Sequence, residues 1–165
     1  MINTKNPFEK LLQNMRFSKA KRYIKGDVLD FGGNEGELKP FVKGEYTIVN
    51  YDHSPMEGKT FDSIISLAVI EHIDYDEVFK IFEKFQTKLR NGGTIFLTTP
   101  TPASKPLLEL LANIGILEKQ NIEEHKHYWN KKEITELAEK NGFEMIKYQK
   151  FQLGMNQYAL MRKPA

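Results

Sequence analysis

Cysteine is missing from this 165-residue chain. Its absence excludes a disulfide framework, a thiolate nucleophile and a zinc–thiolate site. Long apolar runs are missing too, and none approaches the roughly 18 residues that a membrane span needs. The opening Met1-Ile2-Asn3-Thr4-Lys5-Asn6 has no apolar core of the kind a secretory signal carries, so a cytoplasmic protein is expected. Nor is charge of one sign in excess. Lysine and arginine number 24 against 22 aspartates and glutamates, a formal charge of +2, too little to hold nucleic acid by charge alone. The local cluster Arg16, Lys19, Lys21, Arg22 and Lys25 reads as a solvated helix face rather than a phosphate-binding patch. No internal repeat, low-complexity tract or linker stands out. With 40% hydrophobic and 28% charged residues, the composition fits one globular domain over residues 1–165, with residues 1–25 as an N-terminal helical cap.

What the chain does have is the stretch Val28-Leu29-Asp30-Phe31-Gly32-Gly33-Asn34-Glu35-Gly36. An apolar strand runs into a carboxylate, then into a loop of small residues, and helix-like sequence follows. Such a loop lets a ligand lie against bare backbone at the carboxyl end of a parallel strand. A dinucleotide pyrophosphate wants glycine N–H groups and a helix N-terminus there, not a carboxylate two residues before the turn. The spacing also departs from G-x-G-x-x-G, since Asn34 stands where the second glycine belongs. S-adenosylmethionine carries an ammonium and a sulfonium, and Asp30 attracts both. The loop therefore reads as a site for that cofactor.

Around it, strands and helices alternate. Pro7 to Ile24 carries apolar residues at a loosely helical period. Tyr46 to Tyr51 reads as a second strand ending at Asp52, and Phe61 to Leu67 as a third. Pro40 restricts any helix between Gly36 and Val42 to a short or irregular one. Asp74 is placed to cap an amphipathic helix that Asn91-Gly92-Gly93 stops, ahead of a strand from Thr94 to Thr99. A further helix is expected from Leu107 to Leu117. Asn130 and Glu133 have capping-box spacing before a helix that ends at Asn141-Gly142. Phe143 to Phe151 and Gln157 to Met161 read as an antiparallel hairpin turning at Gly154. The pattern predicts an α/β protein whose sheet is mostly parallel with one antiparallel edge.

Five passages, VLDFGGNEG, YTIVNYDHS, FDSIISLAVIEHI, LRNGGTIFLTTPTP and HKHYWNKKEITELAEKNGF, then stand in an order and spacing that resemble the class I, Rossmann-like S-adenosylmethionine-dependent methyltransferases. The resemblance implies a Rossmann-like methyltransferase sheet with a C-terminal antiparallel hairpin. It implies that Asp30, Gly32, Gly33, Asn34 and Gly36 wrap the methionine part of the cofactor. Asn34 replaces the usual glycine, and asparagine tolerates a left-handed backbone better than most residues. Asp52 falls where the family's acidic residue grips both ribose hydroxyls. Ser66, Leu67 and Ala68 would line the cofactor's other side, largely through backbone. The pattern breaks after Asp52, because residues 54–60 leave room only for a loop where the family has a helix and a strand. The fold is thus expected to be shortened by one strand and helix, with the second strand at a sheet edge and the adenine side open; His53 is a candidate to cover the adenine.

Methyl transfer from a sulfonium asks the protein to align two reactants and exclude water, with a base only where the acceptor must lose a proton. Glu71-His72 follows the third strand of this chain, beside the expected methyl position. Histidine is the side chain whose ordinary titration lies nearest neutrality, so His72 is the first candidate for acid–base work, with Glu71 and His127 as companions. His125 and His127 could point to one side of an extended segment. In some relatives Glu-His and a downstream histidine bind a divalent metal together with a glutamate one turn earlier. Ala68 occupies that earlier position, so no metal is expected. Tyr128 and Trp129 read as packing residues. The resulting reading is a methyltransferase for a small-molecule acceptor, compatible with a homodimer, with neither membrane nor nucleic acid as partner. Its rivals are a methyltransferase-like cofactor-binding protein that is inactive or needs a partner, and a dinucleotide-dependent oxidoreductase.

Overall fold

The structure, a computed structural model, describes residues 7–34, 36–50 and 53–165. Its centre is a six-stranded sheet in the order β2-β1-β3-β4-β6-β5. The strands are β1 (Val28–Phe31), β2 (Tyr46–Val49), β3 (Phe61–Leu67), β4 (Leu89–Pro100), β5 (Glu144–Phe151) and β6 (Asn156–Arg162). β1 pairs in parallel with both β2 and β3, and β3 in parallel with β4. β6 runs antiparallel to β4 and to β5. The mostly parallel sheet with an antiparallel C-terminal hairpin is the architecture read from the sequence.

Alternation along the strands sorts the core into two layers. Leu29, Phe31, Ile64, Ile95, Leu97, Ala159 and Met161 point to one face. There they meet Val78, Ile81, Phe82 and Phe85 of α2 (Tyr75–Lys88) and Ile134, Leu137 and Ala138 of α5 (Lys131–Lys140). Val28, Ile65, Phe96, Tyr158 and Leu160 point to the other face and meet Phe17 and Ala20 of α1 (Pro7–Ala20). Central parallel strands covered on both faces need side chains apolar in both directions, as Ile64-Ile65 and Ile95-Phe96-Leu97 supply. Ser63 is fully buried and polar, and its Oγ bonds the Lys25 backbone in both directions, tying the chain after α1 to β3.

The elements differ from the sequence reading in four places. β4 begins at Leu89 rather than Thr94, because Leu89 pairs with Phe61 before the register shifts. Gly92 and Gly93 then exchange backbone bonds with Lys163, so they sit beside the chain's end instead of stopping a helix. The helix expected to reach Leu117 ends earlier, as α3 (Lys105–Asn113). Gly115 takes a left-handed φ of 77° and lets Ile116 N–H return to the Leu111 carbonyl, the usual glycine exit from a helix. A short α4 (Lys119–Glu123), unforeseen, follows it. Asp74 precedes α2 but makes no side-chain cap; its carboxylate pairs with Lys126 at 2.9 Å instead.

Beyond β2 the described residues contain no further strand, and Ser54–Met56 forms only a 3₁₀ turn. β2 is therefore an edge strand, as the shortened sequence requires. The segment after the turn reaches back across it, with Lys59 Nζ on Glu45 (2.5 Å) and Thr47 Oγ1 (3.2 Å). A lysine lying on an edge is one of the ordinary ways to discourage pairing with another chain. No helix among the described residues is long and apolar enough to cross a membrane.

The capping box of α5 is complete. Asn130 Oδ1 accepts from the Glu133 N–H at 3.0 Å, and the Asn130 N–H donates to Glu133 Oε2 at 2.8 Å. Asn130→Ala is expected to lower the unfolding free energy by about 1 kcal/mol, read as a lower urea midpoint at unchanged slope. An unshifted midpoint would show that the box adds nothing to α5.

Candidate functional site

A cavity of about 580 Å³ opens beyond the carboxyl ends of β1 and β3. This is the crevice where β1 sends the chain to β2 on one side and pairs with β3 on the other, the place where open α/β sheets bind ligands. Its wall includes Asp30, Gly32, Gly33 and Asn34 from the loop after β1, His53, and Leu67, Ala68 and His72 from beyond β3. The size suits a ligand of cofactor dimensions.

Asp30 sits in the floor with only 4% of its surface exposed. Its carboxylate accepts a hydrogen bond from the Tyr46 hydroxyl. Burial pushes its pKa up to about 6, the Tyr46 bond working against that rise and the charge of Glu37 adding to it. Tyr46 was not foreseen as part of the site. Its place in the parallel register, beside Val28 and two residues before the partner of Asp30, puts the two side chains on one face.

The loop glycines are required by protein atoms as well as by any ligand. Gly32 has a φ of 82°, and a Cβ there would lie 2.3 Å from the Val69 side chain. A Cβ on Gly33 would lie 2.4 Å from the Asp30 carboxylate. Gly36 also takes a left-handed φ, of 77°, but it is not in the cavity wall. Asn34 is not among the left-handed residues, so the tolerance of asparagine for that conformation is not used. The turn puts its left-handed residues at Gly32 and Gly36.

On the opposite wall Ala68 is left-handed, with a φ of 56°. This is a strained backbone for a residue with a Cβ, held by the Ala68 N–H on the Thr98 carbonyl (3.0 Å) and on Thr98 Oγ1 (3.1 Å). Ser66 lies just inside the sheet, 1% exposed, with an unpartnered Oγ, and is not in the wall. His53 packs edge-on against Phe31, 5.6 Å between ring centres. Asp52 lies outside the described residues.

Glu71 and His72 occupy a 3₁₀ turn after β3. The Glu71 carboxylate is 1% exposed and accepts from Thr99 Oγ1 at 2.9 Å. Burial raises its pKa, against the pull of His72, the Thr99 bond and Arg16. His72 faces the cavity, and its Nδ1 is buried with no hydrogen-bond partner. Of the two downstream histidines, His125 is the one that meets it, with ring centres 4.7 Å apart. His125 Nδ1 lies 2.9 Å from the Tyr128 hydroxyl, and burial, with the charge of His72 behind it, pushes its pKa down to about 4. Glu71, His72 and His125 offer ligand atoms all within 4.8 Å of one another, a carboxylate and two imidazoles that could take a divalent ion. Sequence spacing, which had set a metal aside because of Ala68, does not reveal this proximity.

His127 is placed elsewhere. Its ring packs against Tyr75 and Trp129, both at 5.1 Å, and its Nε2 lies 3.1 Å from Glu133 Oε2. It borders a separate depression of about 430 Å³ shared with His125 and Tyr128. Two residues in an extended segment need not share a face once one of them is claimed by an aromatic cluster. Trp129 is fully buried, stacked on Tyr75 at 4.9 Å, as its packing role requires.

The contribution of α1 was the least foreseen. Gln13, Arg16 and Phe17 all line the cavity. Arg16 belongs to the basic cluster read above as a solvated face, yet the protein surrounds it closely enough that burial lowers its pKa. No local pattern separates Arg16 from its exposed neighbours, because only the docking of α1 on the sheet decides which cation turns inward.

Comparison with known proteins fits this geometry. Residues 6–148 match the family described as "Methyltransferase domain". No curated protein sequence matches significantly. Among solved structures, the chain resembles a SAM-dependent methyltransferase from Archaeoglobus fulgidus (TM-score 0.70, 17% identity, covering 93% of this chain and 94% of that one). It also resembles an S-adenosylmethionine-dependent methyltransferase from Clostridium acetobutylicum (TM-score 0.65, 11% identity, 96% of each chain). A third is the N-methyltransferase NodS from Bradyrhizobium japonicum, in complex with S-adenosyl-L-homocysteine (TM-score 0.62, 16% identity, 98% and 90%). The chain belongs to the methyltransferase domain family, and its fold is that of the class I, Rossmann-like S-adenosylmethionine-dependent methyltransferases.

Proposed function

We propose that this protein transfers the methyl group of S-adenosylmethionine to a small-molecule acceptor bound in the 580 Å³ cavity. The observation that carries the reading is that one cavity holds both the Asp30–Gly33 loop and His72. The first offers an anionic floor under bare backbone; the second offers an imidazole where an acceptor proton can go. A dinucleotide would bring its pyrophosphate against the same buried carboxylate, which opposes it.

In this reading Asp30 attracts the cofactor's ammonium, and Gly32, Gly33, Asn34 and Gly36 shape the loop around its methionine part. Asp52 holds the ribose hydroxyls, and His53, Leu67 and Ala68 shape the remainder, with Ser66 behind the wall rather than in it. When bound, the cofactor supplies an activated methyl group, and the chain's own work is placement and exclusion of water. The His72 imidazole would take the proton of an acceptor hydroxyl as the methyl group passes to that oxygen and the carbon–sulfur electron pair remains with sulfur. Glu71 lies behind His72 with its carboxylate bonded to Thr99 and serves to hold the turn in place. His127, assigned as a companion from sequence, lies in the aromatic cluster of Tyr75 and Trp129, and His125 takes its place beside His72. A cytoplasmic location and a homodimer remain expectations from the sequence.

The Asp30 pKa near 6 gives the site a signed pH dependence. Ammonium binds the ionised carboxylate and a proton competes with it, so affinity for S-adenosylhomocysteine should hold above pH 6 and fall below it, by up to about tenfold per unit. Tyr46→Phe removes the bond that holds the carboxylate ionised and should move the fall to higher pH. Asp30→Ala should weaken binding by about 1 kcal/mol or more and flatten the profile. Calorimetric titration between pH 5 and 8 checks all three, and a flat profile in the unmodified protein would remove Asp30 from the site.

Asp52→Ala should weaken the whole cofactor far more than it weakens methionine; equal loss for both would take Asp52 off the ribose. His72→Ala should cut turnover on the order of 100-fold on a hydroxyl acceptor, with cofactor affinity nearly intact. Single-turnover kinetics on such an acceptor measure this, and an unchanged rate would leave His72 a shaping residue only.

A further inference from the structure

We infer that the outer face of α1, together with the exposed side of α3, is a docking surface for an anionic lipid membrane. The inference is independent of the methyltransferase reading. The expectation of no membrane partner rests on the missing span, which a helix lying along a membrane surface does not need.

The first observation is where the exposed apolar surface lies. Among the described residues nine large apolar side chains are exposed. Six of them, Leu11, Met15, Leu107, Leu110, Ile114 and Ile116, belong to α1 or to α3 and the turn that closes it. The two helices are neighbours, since Phe8 and Leu12 of α1 pack against Leu108, Ala112 and Leu117. α3 is thereby covered on one side only: Leu110 and Ile114, on its other side, are 55% and 60% exposed. A helix apolar all round is normally covered all round, and a concentration of this kind marks a surface that meets an apolar partner.

The second observation is the charge that surrounds this surface. The exposed side chains of α1 and of the turn that continues it run from Lys10 and Leu11 through Met15 to Lys21 and Arg22, and none of them is acidic. Glu9, the one carboxylate of α1, is half-buried and accepts from the Glu118 N–H at 2.7 Å. On α3 the exposed acid, Glu109, has Lys105 one turn before it at 4.0 Å. Lys21 Nζ stands 5.4 Å over the exposed ring of Phe41, carrying the face on to the 3₁₀ turn Lys39–Phe41. Leucine and methionine flanked by lysine and arginine suit a lipid interface: the apolar chains enter the acyl boundary while the cations stay with anionic headgroups.

The same residues weigh against other occupants. A second copy set on this face about a two-fold axis would bring Lys10, Lys21 and Arg22 of each chain toward those of the other, like charge against like. A nucleic acid would meet the lysines through its phosphates and leave the leucines and isoleucines in water. The inner side of α1 supplies Gln13, Arg16 and Phe17 to the cavity wall, so docking sets the cavity one helix away from the lipid.

Co-sedimentation of the whole protein with vesicles tests this, using phosphatidylcholine alone and phosphatidylcholine mixed with phosphatidylserine. The unmodified protein should bind the mixed vesicles at least tenfold more tightly than the neutral ones, and added salt should weaken that binding. Lys21→Glu with Arg22→Glu should abolish the preference for phosphatidylserine. Leu11→Ser with Met15→Ser should weaken binding to mixed vesicles tenfold or more. Thermal melting confirms that each variant is folded, and Leu110→Ser with Ile114→Ser gives the same test on α3 if the α1 pair is not. Lys132→Glu makes a like charge change at an exposed position of α5, across the sheet from α1, and should leave binding unchanged. The inference is overturned by no binding to either vesicle, by binding indifferent to Leu11 and Met15, or by binding that Lys132→Glu lowers as much as the paired reversal on Lys21 and Arg22. A dimer in analytical ultracentrifugation that Leu11→Ser with Met15→Ser dissociates would overturn it in favour of a second copy. Retention of single-stranded RNA that the charge reversal abolishes and the apolar pair spares would overturn it in favour of nucleic acid.

Discussion

Everything at this site depends on β1 being paired in parallel on both sides. With β2 on one flank and β3 on the other, the chain must leave β1 at its carboxyl end in a tight turn and open a crevice there. The turn needs backbone that no side chain crowds. Gly32 meets this by its left-handed φ and by yielding space to Val69, Gly33 by yielding space to the Asp30 carboxylate. Packing and ligand access therefore impose the same demand on the same two residues, and neither can be credited alone.

The second constraint is electrostatic. The crevice is built around carboxylates that the fold partly desolvates. Asp30 is restrained by one hydroxyl, Glu71 by another, and in both burial works to raise the pKa. Buried carboxylates with so little local compensation are expensive to keep unless a cation is at hand. The cations available are Arg16, the imidazole pair His72 and His125 if protonated, and the positive groups of a bound cofactor. Burial drives His125 toward its neutral form, whereas Arg16 keeps its charge at ordinary pH in a wall that Asp30, Glu37, Glu77 and Glu124 also line.

Shortening of the fold after β2 has its own consequence. A full member of this architecture would extend the sheet beyond β2. Here a 3₁₀ turn and Lys59 take that position, and the chain reaches β3 after eleven residues rather than through a further helix and strand. The sheet keeps its ligand crevice because that crevice depends on β1 and β3, which are intact. What shortening removes is wall on the far side of β2, where His53 against Phe31 is the nearest substitute.

Much of this was legible in the chain by itself. Local signals sufficed for β1, β3, the hairpin of β5 and β6, the capping box at Asn130 and Glu133 and the loop of Asp30, Gly32 and Gly33, because each depends on residues near in sequence: alternation, a cap, a glycine where the backbone must turn. They misjudged the start of β4 at Leu89 and the exit of α3 at Gly115, where long-range pairing and one glycine overrode the apolar pattern. Tertiary structure alone decided the rest. It chose His125 over His127 as the neighbour of His72, bonded Tyr46 to Asp30, and turned Arg16 inward from a cluster of five cations that look alike in sequence. Those outcomes depend on how α1, β2 and the segment before α5 dock on the sheet, and docking is a contest among distant apolar surfaces that no local pattern records.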